Sequence, residues 1–120
     1  MEHITKMSRA VLPTSVNARG ILFGGELMAW MDEISGIAAK RFAGKEVATV
    51  SVADINFLHP IPVGAFIDLN ADIVSVGVKS LKVKIDVIMD APEPVKAAEA
   101  LFVYVTINDD GKPVPVDRTL

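Results

Sequence analysis

The chain moves between two hydrophobic periods, and the changes of period mark its elements. From Gly25 to about Phe42 no proline interrupts a run rich in leucine, methionine, alanine and isoleucine, a composition that favours helix. Glu26, Glu33 and Lys40 recur at heptad spacing as one narrow polar stripe. Leu27, Met28, Trp30, Met31, Ile34, Ile37, Ala38, Ala39 and Phe42 cover most of the remaining circumference. A helix this apolar all round is expected to be buried. The other runs have period two. In Ser80 to Asp90, Leu81, Val83, Ile85, Val87 and Met89 share one face and Lys82, Lys84 and Asp86 the other, which predicts one dry side and one wet. Val95 to Asn108 reads as the last strand, with Leu101, Val103, Val105 and Ile107 inward, ending at the turn Asp109-Asp110-Gly111.

His3 to Leu12 reads as a first strand, closed by Pro13. Val47 to Leu58, ended by Pro60 and Pro62, and Phe66 to Val76 complete the set, while Gly44 stops the helix near its C-cap. The tail, with Pro113 and Pro115, is expected to be extended and loosely held. One strand, one helix and then four strands joined by short turns is an α+β order. A helix apolar on nearly all sides must be wrapped, which predicts a curved antiparallel sheet folded round one long central helix. The open edges of such a sheet would be hidden by pairing across a two-fold axis, which brings two helices side by side.

Asp32 stands out on this helix. At about 100° per residue it points away from the polar stripe, and its neighbours at helical spacing, Met28, Ala29, Ser35, Gly36 and Ala39, are mostly small. A carboxylate in apolar surroundings needs a partner or a task. The plain structural alternative is a bond to a nearby loop amide. Gly24 and Gly25 lie at the helix entry, where unpaired backbone N–H groups and the positive end of the helix dipole attract a negative oxygen. Amides so placed can form an oxyanion hole, although a glycine pair also suits a turn followed by close packing. Asp32 lies about 10 Å along the axis from Gly25, too far for both to contact one atom, so a second element should complete a site. Phosphate-loop chemistry is excluded, because Glu26 stands where that motif needs lysine.

Composition narrows the function classes. The chain of 120 residues is expected to form a single domain over residues 1–120. Its net charge of -3 gives no electrostatic reason for nucleic acid or an acidic membrane as partner. Without cysteine there is no thiol catalysis, and His3 and His59, the only histidines, belong to no ligand-spaced cluster, so no metal site is expected. The first residues do not form a secretory signal and no apolar run reaches membrane-spanning length, which makes a soluble cytoplasmic protein the expectation. A hydrophobic content of 51% and a mean hydropathy of +0.41 are high for so small a domain, and burial in an oligomer is the simplest outlet.

Asn17, Gly20, Phe23-Gly24-Gly25 and Met31-Asp32, followed by Thr49-Val50, Asn56-Phe57, Pro60 and Gly64, resemble the hotdog-fold acyl-CoA thioesterases, in particular the cytosolic acyl-CoA thioester hydrolases. The resemblance covers nearly the whole chain. It implies a hotdog fold, hydrolysis of acyl-CoA to a carboxylic acid and coenzyme A, and no cofactor, coenzyme A entering as part of the substrate. It further implies that the thioester carbonyl is held by the amides of Gly24 and Gly25, that Asp32 is the general base or nucleophile, and that Asn17 assists. In that family the asparagine and the aspartate of one site come from different subunits of a homodimer, and dimers assemble into a trimer of dimers. Asn56 matches the family's Asn-Phe pair and Gly77, Lys79 and Ser80 its loop between central strands, and these four are expected to bind substrate. Val78 stands where a basic residue usually follows the glycine, and Arg19 where a small polar residue is common. Ser35 could position water, but a helix serine more often bonds its own backbone.

Two other readings compete. Asp54-x-Asn56-x-x-His59 has the spacing of the hotdog enoyl-CoA hydratases, yet it follows the helix and lies within a strand, where residues 54 and 59 would face opposite ways. A non-catalytic module that binds acyl-CoA would keep the fold without turnover. Trp30, Met28 and Met31 would line an acyl tunnel or, as large apolar residues on a buried helix, serve as plain core.

Overall fold

Five strands pair into one antiparallel sheet: β1 (Ile4–Ala10), β2 (Glu46–Phe57), β3 (Phe66–Val76), β4 (Ser80–Asp90) and β5 (Pro94–Ile107), in the spatial order β1-β3-β4-β5-β2. One helix, α1 (Gly24–Ala43), packs against every strand of it. This computed structural model describes residues 4–90 and 92–120; His3, the expected start of the first strand, lies outside them. The elements follow the predicted order and agree with the predicted bounds to within one or two residues.

The core is the space between α1 and the sheet. Leu27, Trp30, Met31, Ile34, Ala38 and Phe42 descend from the helix onto Ile67, Leu69, Leu81, Val83, Ile85, Val87 and Phe102. Each large side chain buried this way contributes about 1.5–3 kcal/mol, enough for one helical face to hold the layers together. The helix ends where Gly44 adopts φ 67°, a left-handed conformation that lets its N–H reach the Lys40 carbonyl at 2.8 Å. Arg118, from the C-terminal tail, donates to the Phe42 carbonyl at 2.7 Å and stacks on the Phe42 ring.

Three expectations are corrected. First, α1 is buried on one face only: Gly24, Gly25, Ala29, Asp32, Glu33, Ile37 and Lys40 are exposed. Alanine and glycine made the outer flank read as apolar without giving it bulk to bury. Second, the inward face of β5 is Ala98, Ala100, Phe102, Tyr104 and Thr106, while Leu101, Val103, Val105 and Ile107 are half-exposed on the other side. Pairing decides the phase. Leu81, Val83, Ile85 and Val87 of β4 face the helix, and residues opposite one another in a ladder share a face; their partners are Tyr104, Phe102, Ala100 and Ala98. Third, the tail is held along the sheet: Val114 N–H bonds the Thr106 carbonyl at 2.9 Å, Val116 N–H bonds the Val78 carbonyl at 2.8 Å, and Val116 is buried.

The sheet leaves β1 and β2 as edges. β2 is the less protected, twelve residues long and exposed or half-exposed throughout, with Val50 and Phe57 more than half exposed. Among the described residues, no helix is long and apolar enough to cross a membrane.

Candidate active site

Asp32 sits on the exposed flank of α1 that overlooks β2. It is not enclosed by apolar side chains, as its sequence neighbours suggested; two hydroxyls hold it. Thr49 Oγ1 donates to Asp32 Oδ1 at 2.9 Å, and the Tyr104 phenol lies 2.7 Å from the same oxygen and 2.9 Å from the Asp32 backbone carbonyl. Asp32 Oδ2 has no bond among the described residues. The ladder explains the convergence, because Thr49 pairs with Tyr104 across β2 and β5, and Tyr104 pairs with Leu81 across β5 and β4, so all three project toward the helix.

Tyr104 is only 2% exposed, and its ring is stacked on Phe102 with centroids 6.4 Å apart. Burial above all, then the hydrogen bond to Asp32 and its negative charge, push the phenol's pKa well above the usual tyrosine range. The hydroxyls of Thr49 and Ser35 offset part of the rise. Ser35 itself is fully buried, beside the phenol, and its hydroxyl makes no closer hydrogen bond among the described residues.

Along α1 from Asp32 lies the helix entry. Phe23 is the N-cap and contributes no side-chain cap, and the amides of Gly24 and Gly25 have no acceptor among the described residues. Both glycines are exposed, and a Cβ on Gly25 would meet nothing within 4 Å. These are free donors at the positive end of a twenty-residue helix. The loop before the helix is organised by Asn17, whose Oδ1 accepts the N–H groups of Arg19 at 2.9 Å and Ile21 at 3.1 Å. With its oxygen so occupied, the Asn17 side chain has only its Nδ2 donor to offer. No hydrogen bond joins Asn17 to Asp32 within the chain.

Beside Gly24 opens an apolar groove of about 390 Å³, lined by Leu22, Leu27, Phe57, His59 and Ile61 among others. Phe57 forms its outer wall, close enough that a Cβ on Gly24 would stand 3.5 Å from the ring. Trp30 and Met31 are core residues, and neither they nor Met28 line this groove.

The remaining predicted positions lie elsewhere. Asn56 points away from the helix: it is opposite Glu99 and donates to that carboxylate at 3.0 Å, within a charged cluster that also holds Lys84, Asp86 and Lys96. Of the Asn-Phe pair, only Phe57 packs beside α1. Gly77, Lys79 and Ser80 form the tight β3–β4 turn, with Gly77 N–H bonded to the Ser80 carbonyl at 2.7 Å. A Cβ on Gly77 would come 3.0 Å from Ser80 Oγ, which accounts for the glycine locally. Lys79 and Arg19 are exposed and form no ion pair among the described residues. Asp54 and His59 share no hydrogen bond. Asp54 lies in a bulge with φ 53°, so strict alternation does not carry across to residue 59, and His59 lines the groove. Among the described residues no group of His, Cys, Asp and Glu could hold a metal ion.

The sequence reading assigned no role to Tyr104 or Thr49. β4's clean alternation sets the parity of Tyr104, and then of Thr49, only once the register of the ladder is known.

Comparison with known proteins places these features in a family context. Residues 19–108 match the thioesterase superfamily. The chain is 41% identical over 111 residues to the acyl-CoA thioester hydrolase of Salmonella typhimurium, covering 88% of this chain and 84% of that one. Among solved structures, an acyl-CoA hydrolase from Staphylococcus aureus, determined with butyryl coenzyme A and coenzyme A, superposes with a TM-score of 0.91 at 32% identity, over 95% of this chain and 71% of that one. A hexameric thioesterase from Yersinia pestis gives 0.87 at 35% identity, over 91% of each chain. Structures of alanine variants of the Staphylococcus aureus enzyme at an asparagine, an aspartate and a threonine have been solved, and those three are spaced along that chain as Asn17, Asp32 and Thr49 are along this one.

Proposed function

The chain belongs to the thioesterase superfamily, and from that membership we propose that it is an acyl-CoA thioester hydrolase with Asp32 as its catalytic carboxylate. The observation that carries the assignment is the state of Asp32: one oxygen is held by two hydroxyls, and the other is unbonded on an exposed flank. A carboxylate with that division of labour suits a group that must present one fixed oxygen to a reactant.

Hydrolysis then proceeds by one of two routes that use the same atom. As general base, Oδ2 takes a proton from water while the water oxygen bonds to the thioester carbon; as nucleophile, it bonds to that carbon and forms an anhydride that water cleaves. In both, the carbonyl oxygen becomes an oxyanion and the bond to sulfur breaks, releasing the coenzyme A thiolate. The free amides of Gly24 and Gly25 suit the oxyanion, since donors fixed in place before reaction stabilise charge that develops there. Asn17 acts as a donor through Nδ2, to the carbonyl or to water. Single turnover in isotopically labelled water separates the routes, because only the anhydride route can place the label in Asp32.

Because Asn17 and Asp32 do not meet within the chain, the complete site forms between subunits of a homodimer. The long free edge of β2, exposed or half-exposed throughout and carrying Thr49, the partner of Asp32, supports that interface, and assembly into a trimer of dimers parallels the hexameric relative. The groove beside Gly24 suits the apolar acyl chain. Lys79, an exposed cation on the β3–β4 turn, is assigned to the phosphates of coenzyme A. Thiol release from acyl-CoAs running from acetyl to palmitoyl, with Asp32→Asn alongside, tests the proposal. Hydrolysis that falls about 100-fold or more in the variant is the expected result. Near-normal kcat in Asp32→Asn would overturn the role of Asp32, and a folded wild type that binds acyl-CoA without hydrolysing it would identify a binding module.

A further inference from the structure

We infer that Tyr104 is a positioning residue for catalysis, selecting which oxygen of Asp32 reacts; this rests on the assignment of Asp32 as the catalytic carboxylate. An ionised carboxylate only accepts hydrogen bonds, so the Thr49 hydroxyl and the Tyr104 phenol must both act as donors to it. The phenol has one proton and two acceptors within reach, Asp32 Oδ1 at 2.7 Å and the Asp32 carbonyl at 2.9 Å. The charged acceptor is the nearer and the stronger. Two donors on Oδ1 occupy the lone pairs that an incoming water would need. The reactive oxygen is therefore Oδ2.

Tyr104 is the better anchored of the two donors. Thr49 lies on the exposed edge strand, whereas the Tyr104 ring is buried, stacked on Phe102 and fixed between Leu81 and Thr49 in the ladder. Its hydroxyl cannot leave Asp32 without disturbing the core. The contact also spans elements, from β5 to α1, so the phenol sets the carboxylate's orientation relative to the whole sheet. A tyrosine that merely filled space would need no acceptor at the functional carboxylate; here it reaches both the side chain and the backbone of that one residue.

Tyr104 is the only tyrosine in the chain, so its ionisation can be followed without interference from another phenol. Two measurements test the inference on the full chain in its native assembly. In Tyr104→Phe, kcat should fall by roughly 10- to 100-fold, the loss of one hydrogen bond to a charged group. KM should stay within about twofold of wild type. Unchanged kcat, or a loss confined to KM, would overturn the inference. The second measurement does not depend on that variant folding. Tyrosinate absorbance against pH, over the range in which circular dichroism stays native, should show ionisation well above the usual tyrosine range in the wild type and a downward shift in Asp32→Asn. Identical titrations in the two proteins would refute the contact. An inactive Asp32→Asn beside a fully active Tyr104→Phe would sink this inference alone, whereas a fully active Asp32→Asn would sink the catalytic assignment beneath it.

Discussion

Thr49 and Tyr104 stand opposite each other across β2 and β5 and bring their hydroxyls to the same oxygen of Asp32, at 2.9 and 2.7 Å. A pairing between strands far apart in sequence thus controls a carboxylate on the helix. The relationship makes the site sensitive to changes that leave the helix untouched.

Removing the Thr49 hydroxyl should weaken that control with little effect on folding. Thr49→Val keeps the branched shape of an exposed strand residue and deletes one donor to a charged acceptor, a contribution of about 1.5–3 kcal/mol. Steady-state kinetics should show kcat reduced by roughly 10- to 100-fold, and Thr49→Ser should recover most of it. Equal activities in the valine and serine variants would remove the hydroxyl from the account.

The free amide of Gly24 can be deleted without disturbing the helix. Gly24 is the first helical residue, where proline fits, and Phe23 before it is already extended at φ -61° and ψ 134°. Gly24→Pro should leave the unfolding midpoint close to wild type. If this amide serves the oxyanion, kcat should drop by about 100- to 1,000-fold. Unchanged turnover would assign the oxyanion to other donors.

Alkaline pH should destabilise the protein through Tyr104. The folded state holds the phenol's proton more tightly than the unfolded chain does. That contribution to stability is complete below the ordinary tyrosine value of 10.0 and is lost as pH climbs from there toward the raised folded value. Thermal unfolding midpoints should therefore fall more steeply above pH 10.0 in the wild type than in Tyr104→Phe. Parallel curves would contradict the raised ionisation.

Two helix glycines should respond in opposite directions to alanine. A Cβ on Gly36 would meet the Tyr104 hydroxyl at 3.7 Å, an ordinary contact, so Gly36→Ala should stabilise by about 0.5–1 kcal/mol through helix propensity. Gly44, at φ 67°, ends the helix in a left-handed conformation, and Gly44→Ala should destabilise by about 1 kcal/mol. Denaturant unfolding of the two variants checks both signs.

The order of elements, the helix with its stop at Gly44, the clean face of β4, and the free glycine amides at the helix entry were all determined by the sequence alone. Each rests on local chemistry: proline and glycine punctuation, and a period that needs no knowledge of distant residues. The motif from Asn17 to Asp32, together with the positions that follow it, likewise carried the family. The setting of Asp32 and the phase of β5 were decided by the tertiary structure. Both faces of β5 carry apolar side chains, so alternation specifies two faces without saying which one meets the helix. Only its pairing with β4 breaks the tie, and that pairing turns Tyr104 inward. Asn56 owes its outward direction to a related cause, since the bulge at Asp54 shifts the register before it and pairing with Glu99 turns it to the outer face. The partners of Asp32 lie 17 and 72 positions away along the chain. Contacts at such separations are made by the sheet's register, which emerges only when all the strands pair at once.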